Sequence, residues 1–216
     1  SGKTRRHCMQ LENCCYGEVE MLTLHLARLG LFGELVHAEG AYIHDLRGMV
    51  LSKWPDNECW RYAWNKAHKG NFYPTHGLVP LCLTLGINRG DQFDYLVSLE
   101  SQQANFKAYL KVAAPDSPRA QDDIQMGDMN TTLIKTALGR SIMIQHDVST
   151  PRPYSRIQFL SGTKGAICDY PYRVGFEKEP GKGVHAWFDE KAATEIREKY
   201  AHPMFKKAGI LAKKAS

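Results

Sequence analysis

Tyr73 and His76 stand three residues apart in the stretch Gly70-Asn71-Phe72-Tyr73-Pro74-Thr75-His76-Gly77-Leu78-Val79-Pro80, directly ahead of an apolar run. Gly70-Asn71 and Pro74 interrupt regular structure, and Thr75 is placed to cap a helix over 77–85 whose apolar side chains are Leu78, Leu81, Cys82 and Leu85. A phenol and an imidazole at a helix N-terminus meet unpaired backbone N–H groups and the positive end of the helix dipole. That setting favours an anion or a polar ligand and can support proton transfer. A spacer is the plainer reading of the same residues, but such a lip is costly to build, which weighs for a site.

Four other clusters offer chemistry, each with a plainer alternative. In Leu11-Glu12-Asn13-Cys14-Cys15-Tyr16-Gly17 a carboxylate and an amide sit side by side before a glycine. They suit sugar hydroxyls or a cofactor carboxamide, or simply cap the helix that starts at Glu18. In Tyr42-Ile43-His44-Asp45-Leu46-Arg47 a strand end delivers Tyr42 and His44 to one face, and the Asp45/Arg47 pair that follows reads as a loop pin. Cys59-Trp60-Arg61-Tyr62, with Trp64 and Asn65, sets aromatic faces beside an arginine. That combination can hold a sugar ring or a phosphate, or be ordinary packing of a Trp/Tyr-rich loop. In Thr150-Pro151-Arg152-Pro153-Tyr154-Ser155-Arg156 two prolines fix where Tyr154 points. A tyrosine beside arginines can serve as general acid or base, and an exposed hairpin tyrosine is the alternative.

The elements that must carry these residues follow from periodicity. Glu18–Leu29 has the apolar spacing of an amphipathic helix (Met21, Leu22, Leu24, Leu26, Leu29) between Gly17 and Gly30. Residues 34–45 alternate as a strand, 94–101 as another, and 102–112 suits a helix. The second half is β-rich, with strands over 130–136, 141–148, 157–161 and 166–169 joined by short turns at 137–140, 151–153 and 162–165. Short connections imply antiparallel pairing. A charged helix over 189–200 follows, and no repeat or low-complexity segment interrupts the pattern. The reading is a single α+β domain over 1–216 on an open, largely antiparallel sheet.

With 216 residues, 43% hydrophobic and 24% charged, the chain can bury one substantial core. Much of its formal charge of +5 comes from Lys3, Arg5, Arg6, Lys206, Lys207, Lys213 and Lys214 at the two ends, with no nucleic-acid motif beside them. None of the six cysteines forms a CxxC pair, which favours free thiols over disulfides or a zinc site. The sequence has no G-x-S-x-G, H-E-x-x-H, Walker loop or G-x-G-x-x-G, hence no phosphate cradle of its own. Asp122, Asp123 and Asp128 read as solvated loop charges rather than metal ligands, and no apolar run approaches the ~20 residues of a membrane helix.

Taken in order, the strings at 8–17, 42–47, 71–77, Ile87-Asn88-Arg89-Gly90-Asp91 and 151–156 closely resemble the NAD-dependent α-N-acetylgalactosaminidases of glycoside hydrolase family 109. Those enzymes sit in the oxidoreductase group named for glucose–fructose oxidoreductase and inositol dehydrogenase. The resemblance implies the C-terminal substrate and oligomerisation domain of such a protein, with helices on one sheet face and the other open to a second copy. It also implies a Rossmann domain upstream that binds most of the NAD. The implied chemistry is oxidation of an N-acetylgalactosaminide at C3, elimination of the aglycone, water addition and reduction, which needs no carboxylate pair.

Position by position, the resemblance puts Glu12 and Asn13 beside the nicotinamide and the reacting carbons, with Tyr42, Arg61, Tyr73, His76 and Tyr154 lining the sugar pocket. Glu12, His76 and Tyr154 become the catalytic candidates, the last two for proton transfer. Two other readings stay open: an NAD-dependent sugar dehydrogenase without glycoside cleavage, and a non-catalytic sugar-binding module. The 216 residues alone are expected to be inactive.

Overall fold

In a computed structural model of the chain, residues 2–51, 53, 54 and 57–215 are described, with side-chain surroundings for 2–50 and 59–209. In chain order a 3₁₀ turn (Asn13–Tyr16) leads into α1 (Glu18–Arg28), β1 (Leu35–Ile43), α2 (Arg47–Leu51) and the two-residue strands β2 (Lys53–Trp54) and β3 (Asn57–Glu58). Then come α3 (Trp60–Ala67), α4 (Thr75–Leu85), β4 (Phe93–Glu100), α5 (Asn105–Ala113), β5 (Asn130–Thr136), β6 (Ser141–Asp147), β7 (Phe159–Gly162), β8 (Gly165–Cys168), β9 (Arg173–Phe176), α6 (Glu190–Tyr200) and α7 (Pro203–Ala215). Seven strands form one open sheet in the order β4-β5-β6-β1-β7-β8-β9. The β1–β6 pair is parallel and the other neighbours are antiparallel.

Side chains alternate across the sheet. On one face Ala38, Ile142, Ile144, Leu160, Ile167 and Val174 are buried with Leu22 and Leu26 of α1, Leu81 and Leu85 of α4, and Ala193 of α6. On the opposite face Tyr95, Val97, Leu99 and Leu133 are exposed. The α+β expectation therefore holds, with helices on one side of an open sheet.

At the centre of this packing α4 lies directly on β1. A Cβ on Gly40 would overlap the Gly77 carbonyl, and one on Gly77 would overlap the Ala41 amide nitrogen. Only two facing glycines let helix and strand backbones approach this closely.

Several sequence expectations need correction. Thr75 is the first residue of α4 and Pro74 occupies the cap position without a side-chain hydrogen bond. The Trp/Tyr-rich segment is the helix α3, not a loop. The strand expected from 157 begins at Phe159, because Ile157 (φ 62°) and Gln158 (φ 47°) are left-handed and cannot join a ladder. Strands β2, β3 and β9 and helices α2, α3 and α7 were not anticipated. Asp128 is buried rather than solvated: it accepts from the Ala104 and Asn105 amides, the Asn105 side chain and Ser149 Oγ, tying α5 to the end of β6.

Candidate functional site

Three backbone pieces converge at the C-terminal end of β1. The first is β1 itself, whose alternation sends Tyr42 to the helix side, opposite His146 of β6. The second is the loop before α4. It is anchored by Glu100 Oε2, which accepts from the Gly70 amide (3.0 Å), and shaped by Asn71 Oδ1, which accepts from the Tyr73 amide (2.9 Å). That amide turn aims Tyr73 back at the strand, and α4 then carries His76 one turn further. The third is the segment 150–156, gathered by Asp147, which accepts from the Ser149 and Thr150 amides. Beyond it, Ser155 exchanges two backbone bonds with Ile43, and Arg156 O accepts from the Ala41 amide (2.7 Å). This lacing brings Tyr154 alongside the end of β1.

The rings form a continuous wall. Tyr42 lies 4.8 Å from Tyr73 and 5.2 Å from His76 between centroids, and Tyr73 lies 4.9 Å from His76. His44 links the far side, with its ring 5.0 Å from Tyr154 and its Nδ1 3.2 Å from the Tyr42 hydroxyl. Arg61, in the first turn of α3, stacks its guanidinium between Trp60 (4.6 Å) and Tyr73 (4.7 Å).

Glu12 reaches the same place from the start of the chain. Its carboxylate caps the 3₁₀ turn by accepting from the Cys14 amide at 3.0 Å, and it lies 2.8 Å from His76 Nδ1. Burial opposes its ionisation, but hydrogen bonds from the Cys14 amide and the Thr75 side chain, with the neighbouring His76, hold the carboxyl below its usual value. The cap therefore belongs to the 3₁₀ turn and not to α1. Asn13, next in sequence, is exposed. Glu12, Tyr42, Tyr73 and His76 thus touch directly, Arg61 covers Tyr73, and Tyr154 joins through His44.

Electrostatically the wall sets one cation, Arg61, against one anion, Glu12, among largely buried rings. Burial raises the Tyr42 hydroxyl and lowers His44, with Arg61 pushing His44 the same way. Among the described residues, Arg61 Nη1, His76 Nδ1 and His146 Nε2 are buried without a hydrogen-bond partner. Unsatisfied buried donors and acceptors are uncommon in folded chains, and these three lie at this cluster, while others belong to Asn71, Gln103 and Gln158. Arg61 Nη1 and His76 Nδ1 are the ones that ligand hydroxyls or a carbonyl would satisfy.

The structure adds residues that sequence reasoning missed. Glu20 is buried in the first turn of α1, where a helix-surface acid is expected to be solvated, and it pairs with Arg156 at 2.5 Å. Arg156 Nη1 in turn donates to the Tyr154 hydroxyl at 3.0 Å and stands over the Tyr170 ring. His146, in the middle of an apolar strand pattern, packs on Phe72 and Tyr42. The Asp45/Arg47 contact is the loop pin expected, at 2.7 Å. All six cysteines are free, and burial pushes the Cys14 thiol up to about 12. No described helix is long and apolar enough to cross a membrane.

Comparison with known proteins gives this site a setting. The sequence profile of the glycosyl hydrolase 109 C-terminal domain matches residues 16–216. An α-N-acetylgalactosaminidase of Bacteroides fragilis is 49% identical over 206 residues, covering 93% of this chain and 48% of that protein. A glycosyl hydrolase family 109 protein of Solibacter usitatus is 45% identical over 214 residues, covering 99% and 47%. The chain therefore spans about half the length of the curated relatives it matches. Among solved structures, a levoglucosan dehydrogenase in complex with NADH and L-sorbose superposes with a TM-score of 0.56 at 16% identity over 86% of this chain and 47% of that one. An oxidoreductase domain protein from Kribbella flavida gives 0.56 at 14% identity over 82% and 45%.

Proposed function

Because the chain belongs to the glycosyl hydrolase 109 family, to which it contributes the C-terminal domain, we propose that it is the sugar-binding and proton-transfer half of an NAD-dependent glycosidase acting on α-N-acetylgalactosaminides. In this reading a dinucleotide-binding domain elsewhere in a longer polypeptide holds most of the cofactor. The observation that carries the proposal is the Glu12–His76–Tyr42–Tyr73 cluster, walled by Arg61 and Tyr154, with the buried Arg61 Nη1 and His76 Nδ1 left without partners. An aromatic wall beside a buried guanidinium holds the apolar face of a pyranose while orienting its hydroxyls.

The residues fit the nicotinamide end of the cofactor. Exposed Asn13 offers an amide to a carboxamide, and Glu12 lies next to it at the edge of the ring wall. When bound, NAD supplies reversible hydride exchange at the sugar C3 carbon. Tyr42, Tyr73 and Arg61 hold the ring so that C2 and C3 face Glu12 and His76. Once C3 is a ketone, the hydrogen on C2 is acidic, and His76 or Tyr154 removes it as the aglycone leaves C1. Tyr154 accepts a hydrogen bond from Arg156, which fixes where its hydroxyl points. The same two groups return the proton when water has added.

The exposed sheet face carrying Tyr95, Val97, Leu99 and Leu133 is, in the same reading, where a second copy docks. The test is the protein of the relatives' full length, with p-nitrophenyl α-N-acetylgalactosaminide and NAD⁺. Release of p-nitrophenol without net NADH is the expected result, and Tyr154→Phe abolishes release while sparing hydride exchange. NADH accumulating without phenol would make the protein a sugar dehydrogenase instead. Equal loss of both activities in Tyr154→Phe would remove that residue from proton transfer.

A further inference from the structure

Glu12, Cys14 and His76 bring one carboxylate oxygen, one thiol sulfur and one imidazole nitrogen within 4.8 Å of one another. Glu12 and Cys14 are buried at 8% and 5% exposure, and the His76 side chain at 16%. Two features of this cluster point to a ligand. His76 Nδ1 is buried without a hydrogen-bond partner although it lies 2.8 Å from Glu12 Oε1, so the contact is short but not aligned as an N–H···O bond. The imidazole nitrogen thus faces the carboxylate without a bond aimed at it, an arrangement a third group placed between them would complete. The Cys14 sulfur lies beside the Glu12 carboxylate and makes a long contact to Asn13 Oδ1 at 3.9 Å, so thiol and carboxylate already face one point.

The geometry points to a binding site for a thiophilic divalent cation of the zinc type, held by Glu12, Cys14 and His76. A carboxylate, an imidazole and a thiolate are the donor types zinc takes, and three protein ligands leave the fourth position to water or a sugar hydroxyl. Bonds of about 2.0–2.3 Å in a tetrahedron separate ligand atoms by roughly 3.3–3.8 Å. The existing separations, 2.8 Å between Glu12 and His76 and none above 4.8 Å, lie within about 1 Å of that. Cys14 binds as thiolate and releases its proton to solvent as the ion enters. The Glu12 carboxylate keeps its bond from the Cys14 amide through one oxygen, which fixes the ligand pair in register.

Binding rests on this geometry alone. The consequence rests on the reading of the site above: an ion here occupies Glu12 and His76, so zinc acts as an inhibitor competing with the sugar. The test is a titration of the chain with Cd²⁺, followed by the thiolate-to-cadmium absorption band and by calorimetry. One ion per chain is expected, with the band lost and affinity down by at least about tenfold in Cys14→Ser. His76→Ala lowers affinity likewise while keeping the band, and Cys8→Ser and Cys15→Ser change neither. Circular dichroism confirms that each variant is folded. A band that survives in Cys14→Ser, or no binding at millimolar cadmium, overturns the proposal. None of these readouts uses turnover, so a failed glycosidase assay leaves them intact.

Discussion

Acidification tests the packing of the site most directly, through His146. Burial, seconded by the positive charge of Arg61, lowers this histidine from its ordinary 6.5 to about 4. Its Nε2 has no hydrogen-bond partner, and Phe72 and Tyr42 enclose its ring. Between pH 6.5 and 4 the unfolded chain therefore binds a proton that the folded chain refuses, so the stabilisation is present above pH 6.5 and is lost as pH falls toward 4. Each pH unit in which the two states differ by a full proton costs about 1.4 kcal/mol. Integrated from pH 7 to pH 5, His146 alone removes about 2 kcal/mol of folding stability. Urea unfolding at the two pH values measures this, with His146→Phe as the comparison: the variant should lose about 2 kcal/mol less than the natural chain on going from pH 7 to pH 5. Equal losses would show that the ring is not held neutral by its surroundings. If the variant folds poorly, the His146 ring-proton resonance in the natural chain answers the same question, and movement between pH 7 and pH 5.5 would refute the argument.

Other expectations follow from the same contacts. Gly77→Ala forces a methyl into the Ala41 amide and should cost about 2–3 kcal/mol or prevent folding, read as a fall in melting temperature, whereas Gly2→Ala, with open space around it, should not. Arg156→Met strands the buried Glu20 carboxylate and should destabilise by about 3 kcal/mol, and adding Glu20→Gln should recover part of that loss in chemical denaturation. Asp128→Ala leaves the Ala104 and Asn105 amides unpaired and should cost about 2–3 kcal/mol, with amide exchange accelerating first at the start of α5. The 216 residues alone should show no NAD⁺ binding by calorimetry, since the reading assigns most cofactor contacts to another domain, and measurable binding would refute that assignment.

What was legible in the sequence was what periodicity and punctuation encode. Residues 18–29, 34–45, 77–85 and 130–136 announce themselves by apolar spacing beside glycine or proline and 189–200 by its charges, while the cap at Asp189, which accepts from the Ala192 amide, emerged only in the structure. Tyr42, Tyr73, His76 and Tyr154 stood out because polar rings beside strand ends and turn residues are uncommon. Helix α3 was missed since its Trp60, Tyr62 and Trp64 suggested a loop, while the side chain that fixes it, Tyr62 on Asp122, is a contact across 60 residues. Glu20 and His146 were invisible for a related reason. Their roles depend on Arg156 and on Phe72, partners that only the fold brings near. Asp128 shows the converse: composition said surface, and four donors from distant segments made burial favourable.

The Gly40–Gly77 contact also bears on how such a site can change. Tyr42 rides on β1 two residues beyond Gly40, and His76 sits one residue before Gly77. With no side chains between the two backbones, repacking the core cannot slide one against the other, so the Tyr42–His76 spacing behaves as a fixed gauge. The adaptable parts are α3 with Arg61 and the proline-framed segment with Tyr154, neither of which is clamped by that pair. On the proposed reading, efforts to change the ligand should therefore randomise residues around 60–64 and 150–153 and leave Tyr154 and the helix–strand gauge untouched.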